Sequence, residues 1–205
     1  MANLYYYNLM IKGVDESILI ENVRSKSHIV ERFLGFKDRP APRVIKKKID
    51  QQMEIFPELL DIFYNYKIEG DELNLIYSVG PKFEEGVEEL ISSGQAMNRM
   101  ILDKIGVLCL DELRSLIGGE IKDKYGKTPA KFYYPGSKAY GMDLQEEIYK
   151  LLDDKGYIKI NSYKQLYPIK TVALRADLKD GVQDIKLSPC DSCDFSCPMR
   201  GGYDE

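Results

Sequence analysis

The chain has 205 residues, of which 44% are hydrophobic, 30% charged and 11% aromatic. That balance excludes disordered and collagen-like classes and allows a core that buries roughly 70% of the unfolded surface without disulfides or metal. A formal net charge of -4 gives no basis for a nucleic-acid partner, whose phosphates call for a one-sided excess of Lys and Arg.

In chain order, Leu4 to Lys12 is rich in Tyr and Leu, ends at Gly13 and reads as a strand. The first seventeen residues have neither a basic leader nor a long apolar core, and no apolar run approaches the roughly 18 residues of a membrane span. No membrane partner is expected, and the expected location is the cytoplasm. A helix is expected from about Asn22 to Phe36, with Val23, Ile29, Val30, Phe33 and Leu34 as its apolar stripe, before Pro40 and Pro42. A second is expected from Pro42 to near Pro57. The five positive charges from Arg39 to Lys48, four of them within it, read as a solvated helix face, because Ile45 and Ile49 keep helical spacing through them. Ile62 to Ile68 and Leu73 to Ser78 read as two strands joined by a turn at Glu69-Gly70-Asp71.

The strongest helical pattern runs from Gly94 to Ile117, with Met97, Met100, Ile101, Ile105, Leu108, Leu116 and Ile117 at three- and four-residue steps and Gly118-Gly119 as terminators. A stretch rich in Tyr and Gly follows, then a helix from Asp143 to about Asp154 closed by Lys155-Gly156. Tyr157 to Ile160, Lys170 to Leu178 and Val182 to Leu187 read as strands. Helices and strands do not alternate regularly. The expected class is α+β, a single domain with a mainly antiparallel sheet and helices clustered beside it, followed by a cysteine-rich tail, with the boundary between 1–187 and 188–205.

Four cysteines are present, and their distribution is uneven. Cys109 lies in the most apolar helix and reads as a core thiol. Cys190-x2-Cys193-x3-Cys197-Pro198 brings three thiolates within reach of one metal centre. Three clustered cysteines without a nearby fourth suit an iron-sulfur cluster better than a closed zinc site. The missing ligand is open among Cys109, the single histidine His28, a partner's side chain and an exogenous molecule. His28 has no second histidine at ligand spacing and reads as a structural or surface residue. From Phe132 to Gly141, tyrosines combined with Pro135, Gly136 and Gly141 would let a backbone approach a flat ligand while rings stack on it; an ordinary aromatic-packed turn fits the same composition. Hydrolase, Walker and dinucleotide-binding fingerprints are absent.

Several stretches together resemble the reactivation domain of cobalamin-dependent methionine synthase, in its free-standing short form. They are Arg32-Phe33-Leu34-Gly35-Phe36 at the end of an early helix, and Leu75 to Gly80 ahead of the central helix with Leu102-Asp103 and Asp111-Glu112. Tyr134-Pro135-Gly136-Ser137 before Asp143-Leu144-Gln145-Glu146-Glu147, then Tyr163 to Val172, complete the order. The cysteine tail, followed by Arg200 and an acidic end, is similar in kind to that of the free-standing members.

The resemblance implies a helmet-like α+β domain that holds S-adenosylmethionine over a corrinoid and supports reductive remethylation of inactive cob(II)alamin. Tyr134, Pro135, Gly136, Ser137 and Tyr140 are the implied cofactor-binding residues; Cys190, Cys193 and Cys197 are the metal ligands expected from the spacing. The implied partners are a corrinoid protein or methionine synthase core that carries the cobalamin, and an electron donor such as flavodoxin or ferredoxin. The family's Arg-x-x-x-Gly-Tyr pattern departs here: Phe132 stands in the place of its Arg and Ser137 in that of its Tyr, with Lys131, Lys138 and Tyr140 close by. The rival expectation is a zinc-bound, non-enzymatic scaffold that keeps the fold without the ligand.

Overall fold

The computed structural model of the chain describes residues 14–37, 39–137 and 140–181. The expected strands at 4–12 and 182–187, and the cysteine tail with its boundary at 187, lie outside these residues.

Helix α1, Glu16–Ser25, starts where the Asp15 carboxylate accepts the Ser17 backbone N–H at 2.9 Å. This cap satisfies one of the unpaired amides of the first turn. Leu19 and Val23, four residues apart, are fully buried. Lys26 leaves helical geometry (φ -105°, ψ 21°), and α2, Ser27–Phe33, restarts at once and ends before Gly35 at φ 89°. The single helix expected over 22–36 is therefore two, beginning six residues earlier, because an Asp cap outweighs the weak apolar spacing of the first turn.

Helix α3, Arg43–Ile55, begins after Pro42 as expected and buries Ile49 and Met53, while Arg43, Val44, Lys46 and Lys47 face solvent. The basic run is a solvated helix face. After a 3-10 turn at Phe56–Leu59, strands β1, Phe63–Glu69, and β2, Glu72–Ser78, form a hairpin. Gly70, at φ 64°, takes the first of its two turn positions, where a side chain would be strained.

Helix α4, Pro81–Ser92, leads into α5, Ala96–Tyr125. At 30 residues, α5 is about 45 Å long and packs against α1, α2, α3, α4 and the sheet. It runs through Gly118-Gly119, the expected terminators. Ile117 and Ile121 are both fully buried and carry the stripe past the glycines, and the helix stops only at Gly126, in the left-handed region at φ 68°. Met97 and Met100, expected in the core stripe, are exposed.

Strand β3, Lys127–Tyr133, follows directly and has no counterpart in the sequence reading. Pro129 argues against a strand; it is tolerated here because β3 is a sheet edge and its register shifts between Pro129 and Lys131. Helix α6 spans Asp143–Leu151, three residues shorter than expected, and β4, Lys159–Ile160, pairs with β5, Leu166–Tyr167. Strand β6, Thr171–Asp180, enters the middle of the main sheet.

The sheet is antiparallel throughout, in the order β1-β2-β6-β3. Leu73, Leu75 and Tyr77 of β2 and Leu174, Ala176 and Leu178 of β6 join the core under α1 to α5. The alternating Ile76 and Ala173 join a second, smaller core with Leu144, Ile148 and Leu152 of α6 and the β4-β5 ribbon. The α+β class with an antiparallel sheet and adjacent helices is as expected. A second covered face is what the sequence did not reveal.

Candidate functional site

The Tyr134 to Tyr140 segment leaves the end of β3 and crosses toward α6. Its first four residues form a turn in which the Ser137 backbone N–H donates to the Tyr134 carbonyl at 3.2 Å. Pro135 presets the first central position, and Gly136, at φ 81°, fills the second, the arrangement of a type II turn. A Cβ at Gly136 would lie 3.2 Å from Met142 Sδ, so the glycine answers both backbone angle and close packing. The Ser137 Oγ is buried and has no hydrogen-bond partner among the described residues.

The strand's alternation decides which rings lie where. Phe132 and Tyr134 point to the large core. There the Arg114 guanidinium of α5 sits 4.9 Å above the Phe132 ring and donates to the Tyr134 hydroxyl at 2.9 Å and to Asp111 at 2.5 Å. Burial raises the pKa of the Tyr134 phenol while Arg114 opposes the rise. Burial also lifts the Asp111 carboxyl above its usual range, again opposed by Arg114.

Tyr133 and Tyr140 belong to the opposite face, around the α6 core. Their rings meet edge to face at 5.2 Å, and the Tyr133 hydroxyl donates to Asp177 at 2.8 Å. Arg175 of β6 lies 5.9 Å from the Tyr140 ring, donates to Asn74 at 2.9 Å and pairs with Glu72 at 3.2 Å. Of the five loop residues, Tyr134 is therefore tied into the helical core, Pro135 to Ser137 form the crossing turn, and Tyr140 lies with Tyr133 and Arg175 on the other side. The structure does not bring Tyr134 and Tyr140 onto one face. Sequence reading missed Arg114 and Arg175, which hold the loop from both sides, and gave Asp111 no part in it; a charged residue inside an apolar stripe was the available signal for Arg114.

The turn thus combines a buried hydroxyl at Ser137 without a partner among the described residues and a glycine at 136 packed against Met142. Cys190, Cys193 and Cys197 lie outside the described residues. Among the described residues no group of three or more metal-ligating side chains occurs. Cys109 is fully buried, and burial pushes its thiol well above the ordinary range, which suits a core residue and not a thiolate ligand. His28 is exposed on α2. No helix among the described residues is long and apolar enough to cross a membrane.

No family model and no curated protein matches the chain. Among solved structures, it is similar to the crystal structure of the MetH reactivation domain bound to AdoHcy, with a TM-score of 0.57 and 9% sequence identity over 82% of this chain and 78% of that one. At that identity the likeness is one of fold.

Proposed function

We propose that this chain is a corrinoid-protein reactivation module that binds an S-adenosyl ligand at the Tyr134 to Tyr140 loop and works on a cobalamin carried by a separate protein. The observation that carries this reading is the shared fold with a reactivation domain bound to AdoHcy, over 82% of the chain. Pro135, Gly136, Ser137 and Tyr140 are the proposed contacts, and Tyr134 anchors their turn in the helical core through Arg114. The S-adenosylmethionine supplies a methyl group, and an electron from a flavodoxin- or ferredoxin-like donor returns inactive cob(II)alamin to the methyl-transfer cycle. The chain's own contribution is orientation and exclusion of side reactions. Cys190, Cys193 and Cys197 are assigned to an iron-sulfur cluster that relays the electron.

The two halves are tested separately. Titration calorimetry with S-adenosylmethionine, S-adenosylhomocysteine and cob(II)alamin is expected to give saturable binding. Tyr140→Ala and Ser137→Ala should each weaken the adenosyl ligand roughly 5- to 10-fold, the loss of about one hydrogen bond or ring contact. No binding of any of the three ligands overturns the ligand half. Anaerobic purification followed by iron and sulfide assay and a visible spectrum tests the tail. A chromophore lost in Cys193→Ser supports the relay, whereas colourless protein with stoichiometric zinc establishes the scaffold reading in its place.

A further inference from the structure

The β4-β5 ribbon leads from α6 into β6, and its extended backbone sends side chains to two sides in turn. Leu166 and Pro168 are buried, whereas Tyr167 and Ile169 are 53% and 69% exposed. At the tip of the ribbon Tyr163 is 81% exposed. A single large apolar side chain in water needs no explanation, but three within seven positions of one ribbon mark an interaction surface.

Tertiary bonds fix the backbone that carries them. The Asn161 side chain accepts the backbone N–H of Tyr163 at 2.9 Å and that of Gln165 at 3.0 Å. Lys164, at φ 64°, is the one non-glycine residue in the left-handed region among the described residues, a strain that persists where the surroundings over-determine it. Here its ammonium donates to Asp143 and its carbonyl accepts from the Gln145 side chain, both in the first turn of α6. The Ile169 backbone N–H donates to the buried carboxylate of Glu84 at 2.7 Å, and Lys170 pairs with Asp103 at 2.5 Å. The apolar side chains are thus presented on a backbone already ordered, which lowers the cost of binding.

The surroundings of this ridge select its partner. The turn is anchored to Asp143, three residues beyond Tyr140, so the ridge borders the loop that takes the adenosyl ligand. On its other flank Glu84 foremost, with Glu88 and Glu85 of α4, raises the Tyr167 phenol above its ordinary value. Glu85 and Glu88 are exposed. The complement of an apolar ridge with an acidic border is an apolar hollow rimmed by Lys or Arg.

We propose that Tyr163, Tyr167 and Ile169 form the docking ridge for the corrinoid-carrying protein, which seats a basic-rimmed apolar surface on them and so brings its cobalamin to the neighbouring loop. This rests on the reading of the chain as a reactivation module.

The test titrates the 205-residue chain against methionine synthase loaded with cob(II)alamin and lacking its own reactivation domain, with S-adenosylhomocysteine binding by the chain alone as a separate arm. The unaltered chain is expected to bind this probe. Tyr163→Ala and Ile169→Ala should each weaken it at least about 10-fold, and the double variant Glu85→Lys with Glu88→Lys by a similar factor at low salt, while every variant keeps the thermal midpoint of the unaltered chain. No binding of the probe, or apolar variants within about 2-fold of the unaltered chain, overturns the docking ridge and leaves the ligand reading to its own arm. Docking that depends on Tyr163 in a chain that binds no S-adenosylhomocysteine supports the ridge and removes the ligand reading instead. A dimer of the chain that Tyr163→Ala dissociates assigns the ridge to a second copy and overturns the proposal.

Discussion

Replacing Arg114 by Met keeps an unbranched apolar stem and removes the guanidinium that holds Asp111 at 2.5 Å and the Tyr134 hydroxyl at 2.9 Å. The two charged side chains are only 6% and 15% exposed, so the carboxylate left behind cannot be fully rehydrated. Removing one partner of a buried pair costs about 3–5 kcal/mol; the partial exposure of Asp111 places Arg114→Met near the lower end. With a urea dependence of roughly 2–3 kcal/mol per M, the unfolding midpoint should fall by about 1–1.5 M. The deficit has a pH signature. Asp111 already titrates above its ordinary value because burial disfavours its charge, Arg114 being the largest opposing influence. A raised folded-state pKa means that the folded protein holds this proton more tightly than the unfolded chain, so stability falls as pH rises through the raised value. Without Arg114 the carboxyl rises further. The deficit of Arg114→Met is accordingly largest at pH 7 and shrinks toward pH 4, where Asp111 takes up its proton. Urea titrations of both proteins at pH 4, 5.5 and 7 measure this, and adding Asp111→Asn to the variant should recover most of the loss at pH 7. An equal deficit at pH 4 and pH 7 would refute the reasoning.

Gly80→Ala is expected to destabilise by more than about 2 kcal/mol, because Gly80 sits at φ 108° and a Cβ there would meet both Cβ and the carbonyl oxygen of Asp61 at 2.6 Å. Thermal unfolding should show a fall of at least about 4 °C, while Gly119→Ala, whose added Cβ meets nothing within 4 Å in the middle of α5, should hold or raise the midpoint. A protein with Cys190, Cys193 and Cys197 all changed to Ser should react with a thiol reagent only on unfolding, since Cys109 is fully buried and its thiol is held protonated. Rapid reaction of one thiol in that folded protein would place Cys109 outside the core.

The elements most legible in the sequence were those whose local chemistry agrees with their packing. The β1-β2 hairpin carries its own Gly turn, and α3 carries Pro42 at its entry together with a basic outer face. The misreadings share one origin, contacts made at long range. Gly118-Gly119 looks like a helix end locally, but burial of Ile121 keeps the helix running. Pro129 looks incompatible with a strand until an edge position and a shifted register accommodate it. In the loop, the turn at Pro135-Gly136 could be read from residue types alone. The division of Tyr134 from Tyr140 could not, because it depends on the phase of a strand that was not recognised, and Arg114 and Arg175 come from elements 20 and 35 positions away from Tyr134 and Tyr140 respectively.

Strand β6 joins β2 on one side and β3 on the other, and among the described residues it is the last of the sheet strands in sequence. Its bond from Arg175 to Asn74 spans 101 positions. During synthesis, the hairpin and α5 can form while β2 still has a free inner edge and β3 has no sheet to join. The inner edge of β2 therefore stays unpaired for the time needed to translate the intervening hundred residues, about 5–20 s at cellular rates. Closure is thus a late, single event that docks both halves at once, and the cysteines at 190, 193 and 197 follow only after the strand that completes it.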